Sequence, residues 1–325
     1  MTTEQARAFW VTAPGQGAIL DETLPIPSPT DVVVRTRYSA ISRGTESLVF
    51  TGRVPAAERT RMRAPFQAGE FPAPVKYGYC NVGIVESGPE ALAGRTVFSL
   101  YPHQTRFVVP ATAAYVLPGD VPAGRAVLAA NMETAVNGVW DAGILPGDRV
   151  AVVGAGTIGC LVAWLASQIR GCDVCLIDVN PARAGVAAAL GVAFATPGQA
   201  PAERDVVMHV SGSPDGLALA LGLGAFEATI VEMSWFGSQQ VALPLGEGFH
   251  AKRLSIRSSQ VGHVATSRRA RWDYRRRMEF ALTLLRESAL DVLISGEDPF
   301  ESMPSVMQAL ATGARDAICH RIRYE

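Results

Sequence analysis

Charged side chains are scarce: they make up 18% of the 325 residues, against 48% hydrophobic, and the net charge is −1. A chain so poor in charge can bury a large core and is not a disordered segment. Its neutral balance argues against a general nucleic-acid or membrane-surface binder. Lysine is nearly absent, with only Lys76 and Lys252, which reads as compositional bias rather than chemistry. The five cysteines, at 80, 160, 172, 175 and 319, are too few and too irregular for a disulfide scaffold. They predict a reducing, cytoplasmic setting. Residues 1–10 hold no apolar signal core. A single long uncharged run exists, the nineteen residues 151–169. Three glycines among its first nine residues make it a buried strand, a turn and a buried helix rather than a membrane span.

The length suggests two domains. Twelve of the 21 prolines fall before residue 120, among short apolar runs at 32–34, 82–85, 96–100 and 106–109. That is an irregular all-β texture. From about Pro122, apolar strands alternate with Ala- and Leu-rich helical stretches, the pattern of a parallel sheet with helices on both faces. The expected strands are 149–153, 173–177, 205–210, 228–233 and 254–257. After about Val261 the alternation stops. A helix over 272–285 and a strand near 318–322 follow.

The strongest motif runs Val150-Ala151-Val152-Val153-Gly154-Ala155-Gly156-Thr157-Ile158-Gly159. It follows an apolar strand and opens a helix with apolar residues at 158, 161, 162, 165 and 169, one buried face. A second strand ends at Asp178, 24 residues after Gly154. Gly154 permits the tight turn, Gly156 the approach of a pyrophosphate, and Gly159 the packing of helix on sheet. The helix N-terminus, at Thr157 and Ile158, favours phosphate charge. A carboxylate at Asp178 accepts from both ribose hydroxyls and repels a 2′-phosphate, so NAD is expected over NADP. Arg183 is placed to cover the adenosine face.

An irregular β domain, a Rossmann unit and a return segment together resemble the medium-chain dehydrogenase/reductase superfamily. Residues 31–46 (DVVVRTRYSAISRGTE) resemble its first long strand and following turn, 78–83 (GYCNVG) its Gly-His-Glu segment, and 134–143 (TAVNGVWDAG) the helix before the nucleotide strand. The resemblance implies an α/β fold: a GroES-like catalytic domain over 1–121, a doubly wound Rossmann domain over 122–262, and a return segment over 263–325. It also implies a cleft between the domains, a homodimer, and Thr134, Ser234 and Trp235 near the nicotinamide.

Zinc members hold their metal on three ligands. The matching positions here are Arg43, Tyr79 and the vicinity of Ala130, which offer no thiolate or imidazole. The four-cysteine structural zinc lobe is missing as well. No metal is therefore expected, and the chain resembles a zinc-independent branch. Residues 41–55 (ISRGTESLVFTGRVP) and 78–83 look most like bacteriochlorophyllide-type dehydrogenases.

Tyr79 stands where zinc would hold the substrate oxygen, and it is either the donor replacing the metal or a packed strand aromatic. Ser42 and Thr45 can add donors, and Arg43 a fixed positive charge. Glu46 and Glu133 flank the inferred cleft as base or orienting group; an internal salt bridge to Arg43 accounts equally for Glu46. His103 reads as a satisfied histidine before a cleft-bordering one. Cys172 and Cys175 fall in an expected buried strand and read as core. Arg268, Arg269, Arg271, Arg275, Arg276 and Arg277 crowd ten residues. They form either a solvated helix face or a site for an anionic substrate group, since cations at a helix start oppose its dipole. The expected activity is hydride transfer between NAD and an alcohol or carbonyl of a small-molecule substrate. An NADPH-dependent enoyl or quinone reductase and a catalytically silent nucleotide-binding protein are the alternatives.

Overall fold

A computed structural model describes residues 5–324. They form two compact units. The first takes the described residues through Ala130 together with 278–288 and 294–324; the second takes 131–277 and 289–293. In chain order the elements begin with β1 (Gln5–Ala13), β2 (Gln16–Thr23), β3 (Asp31–Ile41), α1 (Arg43–Phe50), β4 (Ala68–Gly69), β5 (Val75–Lys76), β6 (Asn81–Ser87), β7 (Thr96–Ser99), β8 (Arg106–Pro110), β9 (Tyr115–Val116) and α2 (Ala123–Ala126). They continue with α3 (Ala129–Ala142), β10 (Arg149–Val153), α4 (Thr157–Ser167), β11 (Asp173–Ile177), α5 (Arg183–Ala189), β12 (Ala193–Ala195), β13 (Arg204–His209), α6 (Pro214–Leu223), β14 (Gly224–Glu232), α7 (Gly248–Ala251) and β15 (Ser255–Ser258). Last come α8 (Tyr274–Leu284), β16 (Ile294–Pro299), α9 (Met303–Ala311) and β17 (Cys319–Arg323).

The first unit is built on β3, which pairs with β6, β8 and β17. Val32, Val33 and Val34 are all buried, as befits a strand covered on both faces. Val32 and Val34 pack with Val85, Val97, Phe107 and Val109 into one core. Strand β17 runs antiparallel to β3 with Arg323 opposite Tyr38, and lies parallel to β16. Residues almost 300 positions apart in sequence thus share one sheet. A second sheet, ordered β2-β1-β5-β4, completes the unit.

The second unit carries a six-stranded sheet ordered β12-β11-β10-β13-β14-β15, with every pairing parallel. The chain moves outward one way from β10 and then returns to fill the other side, the doubly wound order. Ala151, Val153, Cys175, Ile177, Val207 and Ile230 form the core on one face with Leu217 and Leu221 of α6.

The unit boundaries differ from those expected at 121/122 and 262/263. Helix α2 packs on β3 and β6, which keeps residues 122–130 with the first unit. Residues 263–277 stay with the second because Arg277 bonds Glu133 and Asn137 of α3, and Trp272 packs on Trp140 at 4.8 Å. The helix expected over 272–285 begins at Tyr274, since the Asp273 side chain accepts the Arg276 N–H at 2.8 Å and caps it. Cys172 lies just before β11 rather than inside it; its thiol donates to the Leu145 carbonyl, while Cys175 is buried. Among the described residues, no helix is long and apolar enough to cross a membrane.

Candidate functional site

The glycine turn of the second unit sits where β10 gives way to α4. Gly154 has φ +110, a left-handed conformation, and a Cβ there would lie 2.7 Å from the Ser211 backbone nitrogen. A Cβ on Gly159 would reach 1.8 Å from the Gly154 carbonyl oxygen, so α4 packs against the turn only because Gly159 has no side chain. A Cβ on Gly156 would face open space. Gly156 caps α4, whose first turn contains no acidic residue, and Gly156, Thr157 and Ile158 are each partly exposed. The turn thus has the strain, the room and the charge polarity that a pyrophosphate requires.

Asp178, at the end of β11, reaches back to this turn. Its Oδ2 accepts the Ala155 N–H at 2.7 Å and its Oδ1 accepts the Asn180 N–H at 2.8 Å. Each oxygen keeps a further acceptor position for a ribose hydroxyl. Arg183 opens α5 and lies near enough to Cys160 to oppose the burial that pushes that thiol up to about 12. These residues fit the adenosine half of a dinucleotide. Thr134 lies on α3 and Ser234 just beyond β14. Ser234 accepts the Gly212 N–H at 3.1 Å and donates its own N–H to Glu232 at 2.6 Å; Trp235 follows, partly buried.

In the first unit, β3 ends at Ile41 and Ser42 caps α1. Glu46, one turn in, reaches back and accepts the Ser42 N–H at 2.7 Å. Its other oxygen faces His103 Nε2 at 2.8 Å. His103 Nδ1 meets Ser39 Oγ at 2.7 Å, and Ser39 meets the Tyr324 hydroxyl at 3.0 Å. All of Glu46, His103, Ser39 and Tyr324 are buried. Gly78, at φ +136, makes this possible: a Cβ there would lie 2.8 Å from the His103 ring.

Beside this string, Ser42 and Thr45 lie near enough to the Tyr79 phenol to favour its charged form. Burial first, and then the Glu46 carboxylate, push the phenol well above its ordinary value, with Ser42 and Thr45 pulling the other way. Tyr79 therefore keeps its proton. Tyr77 holds it edge-on at 5.9 Å.

Four of the five residues expected to carry chemistry thus converge: Tyr79, Ser42, Thr45 and Glu46. Arg43 does not join them. It is exposed, and its guanidinium pairs with Asp316 at 3.3 Å, so neither a fixed charge beside Tyr79 nor the salt bridge to Glu46 forms. Glu133 lies in the second unit and pairs with Arg277 at 3.0 Å, both side chains buried. Arg277 is accordingly not part of a solvated helix face. Arg276 lies over the Trp272 ring at 4.1 Å and Arg268 over Trp140 at 5.7 Å. Ala130 is buried, and no group of three or more potential metal-binding side chains occurs among the described residues.

The sequence reading missed His103 as a network member, along with Ser39 and Tyr324. The pairing of β17 with β3 brings Tyr324 to Ser39, and no local pattern signals that. It also passed over His209, Ser211 and Glu232.

The two units have the fold of solved dehydrogenase structures. The chain is 27% identical to D-guloside 3-dehydrogenase of Escherichia coli over 274 residues, 74% of this chain and 75% of that one. It is 25% identical to L-threonine 3-dehydrogenase of Deinococcus radiodurans over 221 residues, 57% of this chain and 60% of that one. The matched part thus spans less than two thirds of the latter enzyme's length. Among solved structures, one described as a short chain alcohol dehydrogenase of Escherichia coli in complex with NADH superposes with a TM-score of 0.77 at 18% identity, covering 99% of this chain and 100% of that one. A zinc-binding dehydrogenase of Sinorhizobium meliloti bound to NADP superposes at 0.76 and 18% identity, covering 98% and 99%. No family model matches.

Proposed function

We propose that the chain is a nicotinamide-dependent dehydrogenase acting between an alcohol and its carbonyl, that it prefers NAD, and that it works without zinc. The observation that carries the reading is the glycine turn with Asp178 at the C-terminal ends of a doubly wound parallel sheet. Relatives named L-threonine 3-dehydrogenase and D-guloside 3-dehydrogenase support the reaction class. Gly154, Gly156, Thr157, Ile158 and Gly159 would hold the pyrophosphate, Asp178 and Arg183 the adenosine end, and Thr134, Ser234 and Trp235 the nicotinamide end. When bound, the nicotinamide supplies or takes up the hydride. Tyr79 donates a hydrogen bond to the substrate oxygen, the task a metal performs elsewhere. Ser42 and Thr45 lie beside the phenol and can add donors to the same oxygen. Glu46, tied to His103 and to the Ser42 N–H, fixes the start of α1 and so the place of Ser42.

The preference for NAD rests on the Asp178 carboxylate, which repels a 2′-phosphate. Zinc independence rests on Arg43, Tyr79 and Ala130 at the former ligand positions, which provide no donor set for zinc. The same residues, with 41–55 and 78–83, support kinship with bacteriochlorophyllide-type dehydrogenases without specifying a substrate. The five free cysteines suit a reducing cytoplasm. The four exposed residues of β15, at the sheet's edge, suit pairing with a second copy, a homodimer to be checked by light scattering.

The test combines calorimetric titration with NADH and NADPH and a panel of alcohols and ketones followed by NADH absorbance. NADH binding with turnover on one alcohol–ketone pair bears the reading out. Binding without any turnover makes the chain a silent nucleotide binder.

A further inference from the structure

The second unit carries a hydrogen-bonded string that the reaction above does not use. His209 ends β13 and is fully buried. Its Nδ1 lies 2.7 Å from Glu232 Oε2 and its Nε2 lies 2.6 Å from Ser211 Oγ. The sheet explains the first contact, because His209 and Glu232 are register partners on parallel strands and point to the same face. Phe236 stacks on the imidazole, with centroids 6.1 Å apart and planes 13° apart. The helix above leaves room for the second contact. A Cβ on Gly216 of α6 would fall 2.2 Å from Ser211 Oγ and 3.0 Å from His209 Nε2.

The string has a direction. The Glu232 carboxylate accepts at Nδ1 and so fixes the imidazole proton there. Nε2 is then an acceptor, and the Ser211 hydroxyl hydrogen points inward to it. The Ser211 oxygen accepts the Ser213 N–H at 3.2 Å and keeps an acceptor position free to face outward. Ser211 itself is exposed. A lone surface serine can turn its hydroxyl to suit any neighbour; this one is held as an acceptor.

Its location matters as much as its polarity. Ser211 lies against Gly154, at the junction of β10 and β13 where the winding of the sheet reverses. A dinucleotide bound at such a reversal places one nucleotide on each side of it. Asp178 stands on the β11 side. Ser211, His209 and Glu232 stand on the β13–β14 side.

We propose that Ser211, held by His209 and Glu232, is the hydrogen-bond acceptor for a hydroxyl of the nicotinamide-side ribose. The proposal rests on the reading of the chain as a nicotinamide-dependent enzyme. Only Ser211 touches the ribose; His209 and Glu232 act through it as positioning residues.

The experiment is calorimetry with two probes, NADH and AMP, on wild type, Ser211→Ala, Ser211→Thr and His209→Asn. AMP carries only the adenosine half. Asparagine retains a donor near the place of Nδ1, so it keeps the Glu232 contact and severs the Ser211 contact. Ser211→Ala and His209→Asn should each weaken NADH about tenfold, the worth of one ordinary hydrogen bond. AMP affinity should stay at its wild-type value for Ser211→Ala, and Ser211→Thr should recover NADH affinity. Wild-type NADH affinity in Ser211→Ala would overturn the proposal, and so would equal losses for NADH and AMP, which would mark a structural role. Failure of the wild-type protein to bind NADH would overturn the underlying reading and this proposal with it.

Discussion

Replacing Arg277 by methionine tests how the second unit is held together. The guanidinium makes four polar contacts in a site where the residue is 2% exposed. Nε donates to Glu133 at 3.0 Å and one terminal nitrogen to Asn137 Oδ1 at 2.6 Å. The carbonyls of His263 and Val261 accept at 3.4 and 2.6 Å. Methionine preserves the apolar stem and removes all four. Asn137 Oδ1 still accepts the Ala265 N–H, but Glu133 is left buried without its cation. Stranding one member of a buried pair costs about 3–5 kcal/mol, a large part of the roughly 5–15 kcal/mol that holds a typical domain together. Burial raises the Glu133 carboxyl above its ordinary value, with Arg277 opposing. A carboxyl raised in the folded state binds its proton more tightly there than in the unfolded chain. Stability therefore falls as pH rises from the unfolded value through the folded one, and it is recovered on acidification. Losing Arg277 raises Glu133 further, so the deficit of Arg277→Met should be full at neutral pH and shrink towards about pH 5. Urea unfolding followed by tryptophan fluorescence suits the question, because Trp140, Trp164, Trp235 and Trp272 all lie in the second unit. The double change Arg277→Met with Glu133→Gln should regain part of the loss. A single variant within about 1 kcal/mol of wild type, or a deficit that ignores pH, would refute the argument.

Tyr79→Phe should lower turnover by about 10²-fold or more with NADH affinity nearly unchanged, once a substrate is in hand; near-normal turnover would return Tyr79 to a packing role. NAD should bind more tightly than NADP by calorimetry, and Asp178→Ala should narrow the gap. Because Asp178 also holds the Ala155 and Asn180 N–H groups, that variant should lose about tenfold to hundredfold in NADH affinity. Metal analysis of the purified protein should find no stoichiometric zinc and chelators should leave activity intact; about one zinc per chain at a defined site would overturn the reading of Arg43, Tyr79 and Ala130.

The parallel sheet was legible because its strands are covered on both faces and stand out as unbroken apolar runs, from Val150–Val153 to Ile230 and Val231. The glycine turn was legible because backbone geometry permits little else there. The β1–β2 hairpin was not, since most of β2 is exposed or half-exposed and its side chains carry no alternation. In the candidate site, adjacency in sequence was enough to group Ser42, Thr45 and Glu46 on one helical turn. It was misleading for Arg43, whose side chain leaves that turn for Asp316. Arg277 looked like one of six similar arginines, and only the fold of 131–277 reveals that it fills a site lined by Glu133 and Asn137. His103 was judged alone, whereas its partners lie 57 and 64 residues away.

The place of β17 has a consequence for biosynthesis. The sheet of the first unit has a gap between β16 and β3 until residues 319–323 exist. Domains generally fold as units while the chain emerges. All the pairings of the second unit's sheet lie within residues 149–258, so that sheet can form before residues 319–323 emerge. The first unit instead waits with Ser39 and His103 short of Tyr324. The nucleotide turn would then be folded and competent on the ribosome before the Tyr79 site is complete. Ligand bound early would stabilise only the second unit, and the slow, long-range closure of β17 onto β3 would set the time at which activity appears.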